Sequence, residues 1–136
     1  MEKNILIVDD SEFAKNELKA AYTAIGMKVV GEASDGLEAL EKCELLAPDI
    51  ISLDLIMPHM HGIECAREIH KRHPQVAVLF VTSLARDIIR DHSFGDEFDA
   101  ESFVQKPATS SDLKAALLHV VEQKIEEQAQ TPELEA

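Results

Sequence analysis

The sequence predicts a doubly wound α/β fold of the (βα)5 type. Short runs rich in β-branched residues recur along the chain, as buried strands require. The segments between them place apolar residues at helical spacing. Strands that are apolar on both faces belong to parallel sheets, because crossover helices cover both sides of the sheet. A chain of 136 residues is long enough for one such domain and too short for two of ordinary size.

The elements can be assigned in order along the chain. The predicted strands are Ile5–Val8, Val29–Val30, Ile50–Leu53, Val76–Val81 and a weaker Phe103–Val104. Helix starts are expected at Asp35 and Thr109, because the residues that follow each of them resemble a capping box. Gly26 marks a helix end. The domain is predicted over residues 1–122, and the polar, acidic stretch 123–136 is expected to fray after the last helix.

The composition excludes several classes of partner. Thirteen basic residues against 26 acidic ones give a formal net charge of −13, which repels nucleic-acid backbones and anionic lipid surfaces. The longest apolar runs are far shorter than the roughly 20 residues that a membrane span needs, and the first residues do not resemble a secretory signal. We therefore expect neither direct nucleic-acid binding nor membrane association, and a cytoplasmic location. Cys43 and Cys65 are interpreted as buried, reduced thiols.

Polar side chains stand where the predicted strands end. Asp9 and Asp10 follow the first strand, Asp54 the third, Thr82 the fourth and Lys106 the fifth. An acidic residue that closes a strand is usually a solvated turn or a helix cap. In an open α/β sheet, however, ligands bind outside the carboxyl ends of the strands, where the strand order reverses. These side chains are therefore expected to converge at one edge of the sheet.

The expected group has the composition of a phosphoryl-transfer site. Clustered carboxylates repel one another unless a cation neutralises them, and ligands that are all oxygen atoms favour a hard divalent ion such as Mg²⁺, with Mn²⁺ as an alternative. Bound Mg²⁺ commonly takes phosphate oxygens as further ligands, and Lys106 supplies a positive charge for the same group. Because the sequence contains no glycine-rich nucleotide-binding motif, the phosphoryl group must come from another molecule.

The motifs around these residues resemble the receiver domains of two-component response regulators. The matching segments are Ile-Leu-Ile-Val-Asp9-Asp10-Ser, Ser-Leu-Asp54-Leu-Ile-Met-Pro58-His-Met-His-Gly62, Phe-Val-Thr82-Ser and Phe103-Val-Gln-Lys106-Pro107. Each segment alone is a weak signal, but their combination at matching strand ends is a strong one. The resemblance extends from residue 4 to about residue 122. It implies the flavodoxin-like receiver fold with strand order 2-1-3-4-5.

The resemblance also implies a role for each matched residue at the site of phosphorylation. Asp54 would be the nucleophile that takes the phosphoryl group from a phosphohistidine on a sensor histidine kinase or a histidine phosphotransfer protein. Lys106 would pair with one phosphoryl oxygen, and the Thr82 hydroxyl would donate to another.

A metal site follows from the same resemblance. Asp10 would bind Mg²⁺ directly, Asp9 mainly through water, and Asp54 and the backbone carbonyl of Ile56 would complete the protein ligands. The ion would screen the approach of an anionic phosphoryl group to an acidic pocket. His59 and His61 lie nearby, but a solvated loop is the preferred interpretation for them, because carboxylates suit Mg²⁺ better than a transition metal.

Phe103 stands where the family carries its switching aromatic residue; the alternative is a plain core position. In the family, the Thr82 hydroxyl would move toward the phosphoryl group and the ring would turn inward. The surface of the fourth helix, fifth strand and fifth helix would then change and control binding of an output protein, with a phosphorylation-dependent homodimer as a further option. Pro107 would follow a cis peptide bond, with an ordinary trans proline as the alternative.

The sequence departs from the family between Thr82 and Phe103, where it is slightly longer. Asp99 stands where glycine is usual, and a left-handed turn there would strain a residue with a side chain. The stretch 94–101 is unusually acidic. Phe94 and Phe98 within it are either partner anchors or core residues.

Three functions remain open. The preferred one is a phosphoacceptor switch that acts by binding partners and is not a turnover enzyme. The second is a phosphorelay intermediate that passes its phosphoryl group to another histidine. The third, a metal-dependent phosphatase with an aspartyl-phosphate intermediate, is disfavoured because Ser52 stands where its D-x-D motif needs the first aspartate. Apolar Ile56 and Leu84 near the site should hinder a hydrolytic water, which predicts a long-lived phosphorylated form.

Overall fold

A computed structural model of the chain describes residues 3–85, 88 and 98–130. Five strands form one parallel sheet in the order β2-β1-β3-β4-β5. Their bounds are Asn4–Val8 (β1), Lys28–Ala33 (β2), Ile50–Leu53 (β3), Ala77–Thr82 (β4) and Phe103–Gln105 (β5). The predicted strand count, parallel pairing and order are confirmed.

Helices cover both faces of the sheet. They are Glu12–Ala24 (α1), Gly36–Leu46 (α2), Gly62–Arg72 (α3) and the C-terminal helix Ser110–Gln130, and one 3₁₀ turn, Ala100–Ser102, precedes β5. No helix within the described ranges is long and apolar enough to cross a membrane.

Successive side chains of each strand point to opposite faces of the sheet, which divides the hydrophobic core into two layers. In β1, Ile5 and Ile7 point toward α1 and the C-terminal helix, where they pack with residues such as Leu113. Leu6 and Val8 point the other way and pack with residues of α2 and α3. All four of these β1 side chains are buried. Both layers are apolar, as the continuous apolar strands require.

The predicted helix starts have the hydrogen bonds of N-caps. The Asp35 carboxylate accepts from the Glu38 amide at 2.8 Å, and the Glu38 carboxylate accepts from the Ser34 amide. At the C-terminal helix, the Thr109 hydroxyl accepts from the Asp112 amide at 3.0 Å. The bonds from the Glu38 and Asp112 amides each satisfy a backbone donor that has no partner within its helix.

The structure differs from expectation in two places. The C-terminal helix runs through Gln123 to Gln130, where a frayed tail was predicted. Helix-forming side chains and the Lys124–Glu127 pair at 2.9 Å favour this extension. Asp99 does not adopt a left-handed turn: its φ of −75° is extended, so it carries no strain there. Residues 94–97 of the acidic stretch, Phe94 included, lie outside the described residues, and so does the fourth predicted helix apart from Ile88.

Candidate functional site

The candidate site lies at the carboxyl ends of the central strands, where the sheet order reverses between β1 and β3. The Asp54 amide donates to the Val8 carbonyl at 3.1 Å, which places the end of β3 beside Asp9. On the other side, the Lys106 amide donates to the Thr82 carbonyl at 2.7 Å. Pairing of neighbouring strands thus brings together residues that are far apart in the sequence.

Three carboxylates meet at this edge. One oxygen from each of Asp9, Asp10 and Asp54 lies within 4.8 Å of the others. Asp9 and Asp54 are only 1% and 7% exposed, whereas Asp10 is exposed to solvent. Asp54 Oδ1 is buried and accepts no hydrogen bond from the described residues. A buried anionic oxygen without a partner is costly, and a hard cation held by oxygen ligands would satisfy it. The residues present therefore fit a Mg²⁺ ion.

Lys106 reaches into this carboxylate group. Its ammonium lies 2.6 Å from Asp9 Oδ2 and 3.5 Å from Asp54 Oδ2. Burial raises the pKa of Asp54 above its ordinary value, an effect that Lys106 opposes and the charge of Asp9 reinforces. Burial alone would lower the pKa of Lys106, but the hydrogen bond to Asp9 and the charges of both carboxylates outweigh it and raise that pKa. Lys106 therefore stays charged at neutral pH.

The loop after β3 is packed tightly against the Asp54 backbone. The Gly62 amide donates to the Leu55 carbonyl at 2.8 Å, and a Cβ atom at Gly62 would lie 2.3 Å from the Asp54 carbonyl oxygen. Only glycine fits at this approach. His61 caps α3 by accepting from the Ile63 amide at 3.1 Å, and His59 Nδ1 lies 3.1 Å from Asp35 Oδ2. Neither histidine was expected to make these contacts.

Two residues of the expected switch are buried inside the protein. The Thr82 hydroxyl accepts from the Leu84 amide at 3.2 Å, and Thr82 is fully buried. Phe103 is 3% exposed and stacks on Phe80, with ring centroids 4.6 Å apart. The Lys106–Pro107 peptide bond is cis.

Phe98 is half-buried against the core. The Phe98 ring meets the Phe80 ring edge-on at 5.1 Å and lies against the core.

Cys43 and Cys65 are buried free thiols. Burial raises the pKa of Cys43 to about 11 and that of Cys65 to about 12. Neither thiol is therefore a nucleophile at neutral pH.

The sequence reading missed a polar cluster beside β5. The Asp99 carboxylate accepts from His119 Nε2 at 2.9 Å, from Gln123 at 2.8 Å and from the Ser102 hydroxyl at 3.0 Å. One Glu101 oxygen lies within 4.8 Å of the Asp99 and His119 atoms. The contacts of Asp99 with His119 and Gln123 join residues 20 and 24 positions apart, and no local motif marks them.

The fold and the site define a receiver domain of two-component signalling. The family model for the response regulator receiver domain matches residues 5–118. The chain therefore belongs to that family, as the motifs predicted. Receiver domains of this family are signalling switches and not turnover enzymes in themselves, and they bind Mg²⁺ at an acidic pocket of this kind.

Known relatives agree with this assignment. The chemotaxis protein CheY of Thermotoga maritima is 36% identical over 117 residues, which cover 86% of this chain and 96% of CheY. A protein-glutamate methylesterase/protein-glutamine glutaminase of Pyrococcus horikoshii is 35% identical over 130 residues, or 94% of this chain. This chain spans only 35% of that protein's length.

A solved structure shows the same similarity. The CheX–CheY–BeF3–Mg²⁺ complex from Borrelia burgdorferi matches with a TM-score of 0.74 and 29% identity. The match covers 86% of this chain and 87% of the aligned chain.

Proposed function

We propose that this chain is a phosphoacceptor switch in which Asp54 takes a phosphoryl group from a histidine kinase or a histidine phosphotransfer protein. The observation that carries the proposal is the group formed by Asp9, Asp10, Asp54 and Lys106 at one edge of the sheet. It combines a nucleophile, oxygen ligands for a divalent cation and a positive charge, which are the parts that phosphoryl transfer needs.

The transfer step balances without any further reactant. An Asp54 carboxylate oxygen attacks phosphorus, and the bond from phosphorus to the donor's imidazole nitrogen breaks. The imidazole leaves neutral, keeping the proton on its other ring nitrogen. Asp54 must be ionised to attack, and the charge of Lys106 favours the ionised form against the effect of burial. Lys106 and the Thr82 hydroxyl then pair with phosphoryl oxygens.

A divalent cation has suitable ligands beside the nucleophile. Asp9, Asp10 and Asp54, with the backbone carbonyl of Ile56, would hold Mg²⁺, and Asp54 Oδ1 is the buried oxygen that still needs a partner. When bound, the ion neutralises charge on the carboxylates and on the incoming phosphoryl group. The similar CheX–CheY complex from Borrelia burgdorferi was solved with BeF3 and Mg²⁺, which supports a Mg²⁺ site in the present chain.

Signalling would follow from a change at β5 and the C-terminal helix. Lys106 lies directly after β5, so a new anionic group on Asp54 changes the contacts at the end of that strand. Thr82 would turn from the Leu84 amide toward the phosphoryl group. Such a charge change biases a two-state element and alters a partner surface. The output protein would bind this surface.

The direct test is the intact mass after incubation with acetyl phosphate and Mg²⁺. We expect one phosphate-sized addition that requires Mg²⁺ and that is lost in Asp54→Asn. Asp49→Asn is the matched control, because Asp49 is an exposed aspartate before the same strand. An addition that persists in Asp54→Asn would contradict the assignment of the nucleophile. A wild-type protein that neither gains the phosphate mass nor binds beryllofluoride would contradict the proposed function.

A further inference from the structure

A groove lies beside the candidate site, between the edge strand β5 and the C-terminal helix. Its volume is about 510 Å³, within the range of pockets that take a small ligand or a few side chains. Buried Val104 and Ala116 form part of its floor, and exposed Ala115 and Pro107 form part of its sides. Gln105 and His119 also line the groove, so its middle is apolar only in part and is open to solvent.

Acidic side chains stand at both ends of this groove. Glu101 precedes β5 at one end, and Asp112 lies in the first turn of the C-terminal helix at the other; both are exposed. At the Glu101 end, Asp99 adds a second carboxylate next to His119. The His119 ring and Gln123 hold the Asp99 side chain in place, so this negative charge is fixed in position.

The described residues that line the groove carry little positive charge. Among the described residues that line it, Lys106 is the only lysine or arginine, and its ammonium is held 2.6 Å from Asp9 Oδ2. Complementary charge across an interface favours one class of partner and repels others. A nucleic acid or an acidic peptide would be repelled. A second copy of this chain would bring Glu101 and Asp112 against like charges.

We propose that this groove binds a basic segment of a partner protein. An apolar side chain of the segment would enter between β5 and the C-terminal helix, and flanking arginine or lysine side chains would pair with Glu101 and Asp112. This inference rests on the proposed function for its control by phosphorylation, because Lys106 belongs both to the groove and to the site around Asp54. It deepens that function by naming the chemistry of the partner.

The test uses a fluorescein-labelled peptide in which leucine is flanked by arginines, together with a matched peptide that has glutamate at each arginine position. Fluorescence anisotropy measures binding to the full chain, with and without beryllofluoride and Mg²⁺. The groove variant is Glu101→Gln with Asp112→Asn. The control is Glu122→Gln with Glu126→Gln, which removes the same charge from exposed positions of the C-terminal helix that do not line the groove.

We expect the arginine peptide to bind and the glutamate peptide not to bind. The groove variant should weaken binding about fivefold and the control less than about twofold, as the loss of two partly exposed charge pairs predicts. Equal weakening by both variants would mean that the overall negative charge of the protein attracts the peptide. That result would overturn the proposal that the groove is the binding site. Self-association of the chain that only the groove variant abolishes would also overturn it, in favour of a dimer.

The beryllofluoride measurements separate this inference from the proposed function. If beryllofluoride binds with Mg²⁺ but the arginine peptide never binds, the groove inference fails and the phosphoacceptor function stands. If the peptide binds through Glu101 and Asp112 but beryllofluoride neither binds nor changes the affinity, the groove stands and the proposed switch fails. A change of affinity that depends on beryllofluoride and on both acidic residues supports both.

Discussion

The ammonium of Lys106 lies 2.6 Å from Asp9 Oδ2, although the two residues are 97 positions apart in the sequence. This contact crosses the sheet edge from the end of β5 to the end of β1. Asp9 is only 1% exposed, and a buried carboxylate that loses its partner is strongly destabilising. Lys106 therefore has a structural role that can be measured separately from phosphorylation.

Replacing Lys106 with methionine should destabilise the protein. Methionine keeps most of the side-chain length but leaves Asp9 and Asp54 without the ammonium. Because Lys106 is itself 24% exposed, we expect a loss of about 2 kcal/mol at pH 7, below the usual cost of breaking a fully buried pair. The measurement is urea unfolding with EDTA present.

Lys19→Met is the matched control for this prediction. Lys19 lies on α1, is 58% exposed and approaches Glu32 only to 3.7 Å. Its replacement should change the free energy of unfolding by less than about 0.5 kcal/mol. Equal losses of stability in both variants would show that the contact between Lys106 and Asp9 contributes no more than an exposed ion pair.

Asp54→Asn should stabilise the protein at neutral pH. Burial raises the pKa of Asp54 in the folded state, so the stability contributed by this carboxyl is fully present below its unfolded pKa of about 3.9 and is lost as the pH rises through the folded pKa. Asparagine removes the charge, so the variant should gain stability at pH 7 and lose that advantage in acid. Urea unfolding against pH, in EDTA, measures the difference.

Asp35→Asn is the control of opposite sign. The hydrogen bond from the Glu38 amide lowers the pKa of Asp35, with the His59 contact as a further cause. A lowered pKa contributes stability above the unfolded pKa, and this is lost as the pH falls through the folded pKa. The variant should therefore be less stable than the wild type at pH 7, with a difference that disappears in acid. Two variants that shift in the same direction would refute the pKa argument.

The main parts of the site could be predicted from the sequence, because the carboxyl ends of parallel strands lie at the same edge of the sheet. Asp9 and Asp54 had to become neighbours once β1 and β3 were adjacent, and Thr82 and Lys106 followed from the pairing of β4 with β5. The side-chain contacts within the site were not available from that argument. That Lys106 lies nearer Asp9 than Asp54 depends on packing at the sheet edge.

Contacts that join separate elements were the ones that sequence reasoning missed. The pair formed by Asp99 and His119 depends on how the C-terminal helix packs beside the turn before β5, and no local pattern encodes that packing. The inward position of Phe103 depends on stacking with Phe80. The polar composition beyond Gln123 predicts fraying, but glutamine, lysine and glutamate are good helix formers, and the helix continues to Gln130.

Gly62→Ala should damage both the fold and the site. The added Cβ would lie 2.3 Å from the Asp54 carbonyl oxygen and 2.7 Å from the Leu55 Cα atom, so the start of α3 must move away from the end of β3. We expect a loss of about 1–3 kcal/mol and slower phosphorylation of Asp54. Urea unfolding and intact mass after timed incubation with acetyl phosphate measure the two effects.

Gly31→Ala tests whether any glycine would give the same result. Its Cβ would meet only side-chain ends, with Leu46 Cδ1 at 2.6 Å, and Leu46 can rotate away. This variant should lose less than about 1 kcal/mol and keep the wild-type rate of phosphorylation. A Gly62→Ala protein that is as stable and as reactive as Gly31→Ala would contradict the close packing described above.

Tyr22 allows a spectroscopic test of the core, since it is the single tyrosine of a chain without tryptophan. It is fully buried, and its hydroxyl donates to Ser52 Oγ at 2.7 Å. Burial raises the pKa of Tyr22 far above the ordinary value, and the bond to Ser52 offsets this only in part. Ultraviolet absorbance should therefore show tyrosinate only when the chain unfolds in alkali. Ionisation near pH 10, the usual pKa of about 10, with unchanged circular dichroism would contradict this burial.

The same bond should have a measurable effect on stability. Tyr22→Phe removes the hydroxyl and leaves Ser52, which is 1% exposed, without that donor inside the sheet. We expect a loss of about 1 kcal/mol, the typical net value of one buried hydrogen bond. Ser52→Ala should cost a similar amount of stability, because it leaves the buried tyrosine hydroxyl without its acceptor. The double variant should lose less than the sum of the two single losses, whereas strict additivity would mean that the two hydroxyls do not interact.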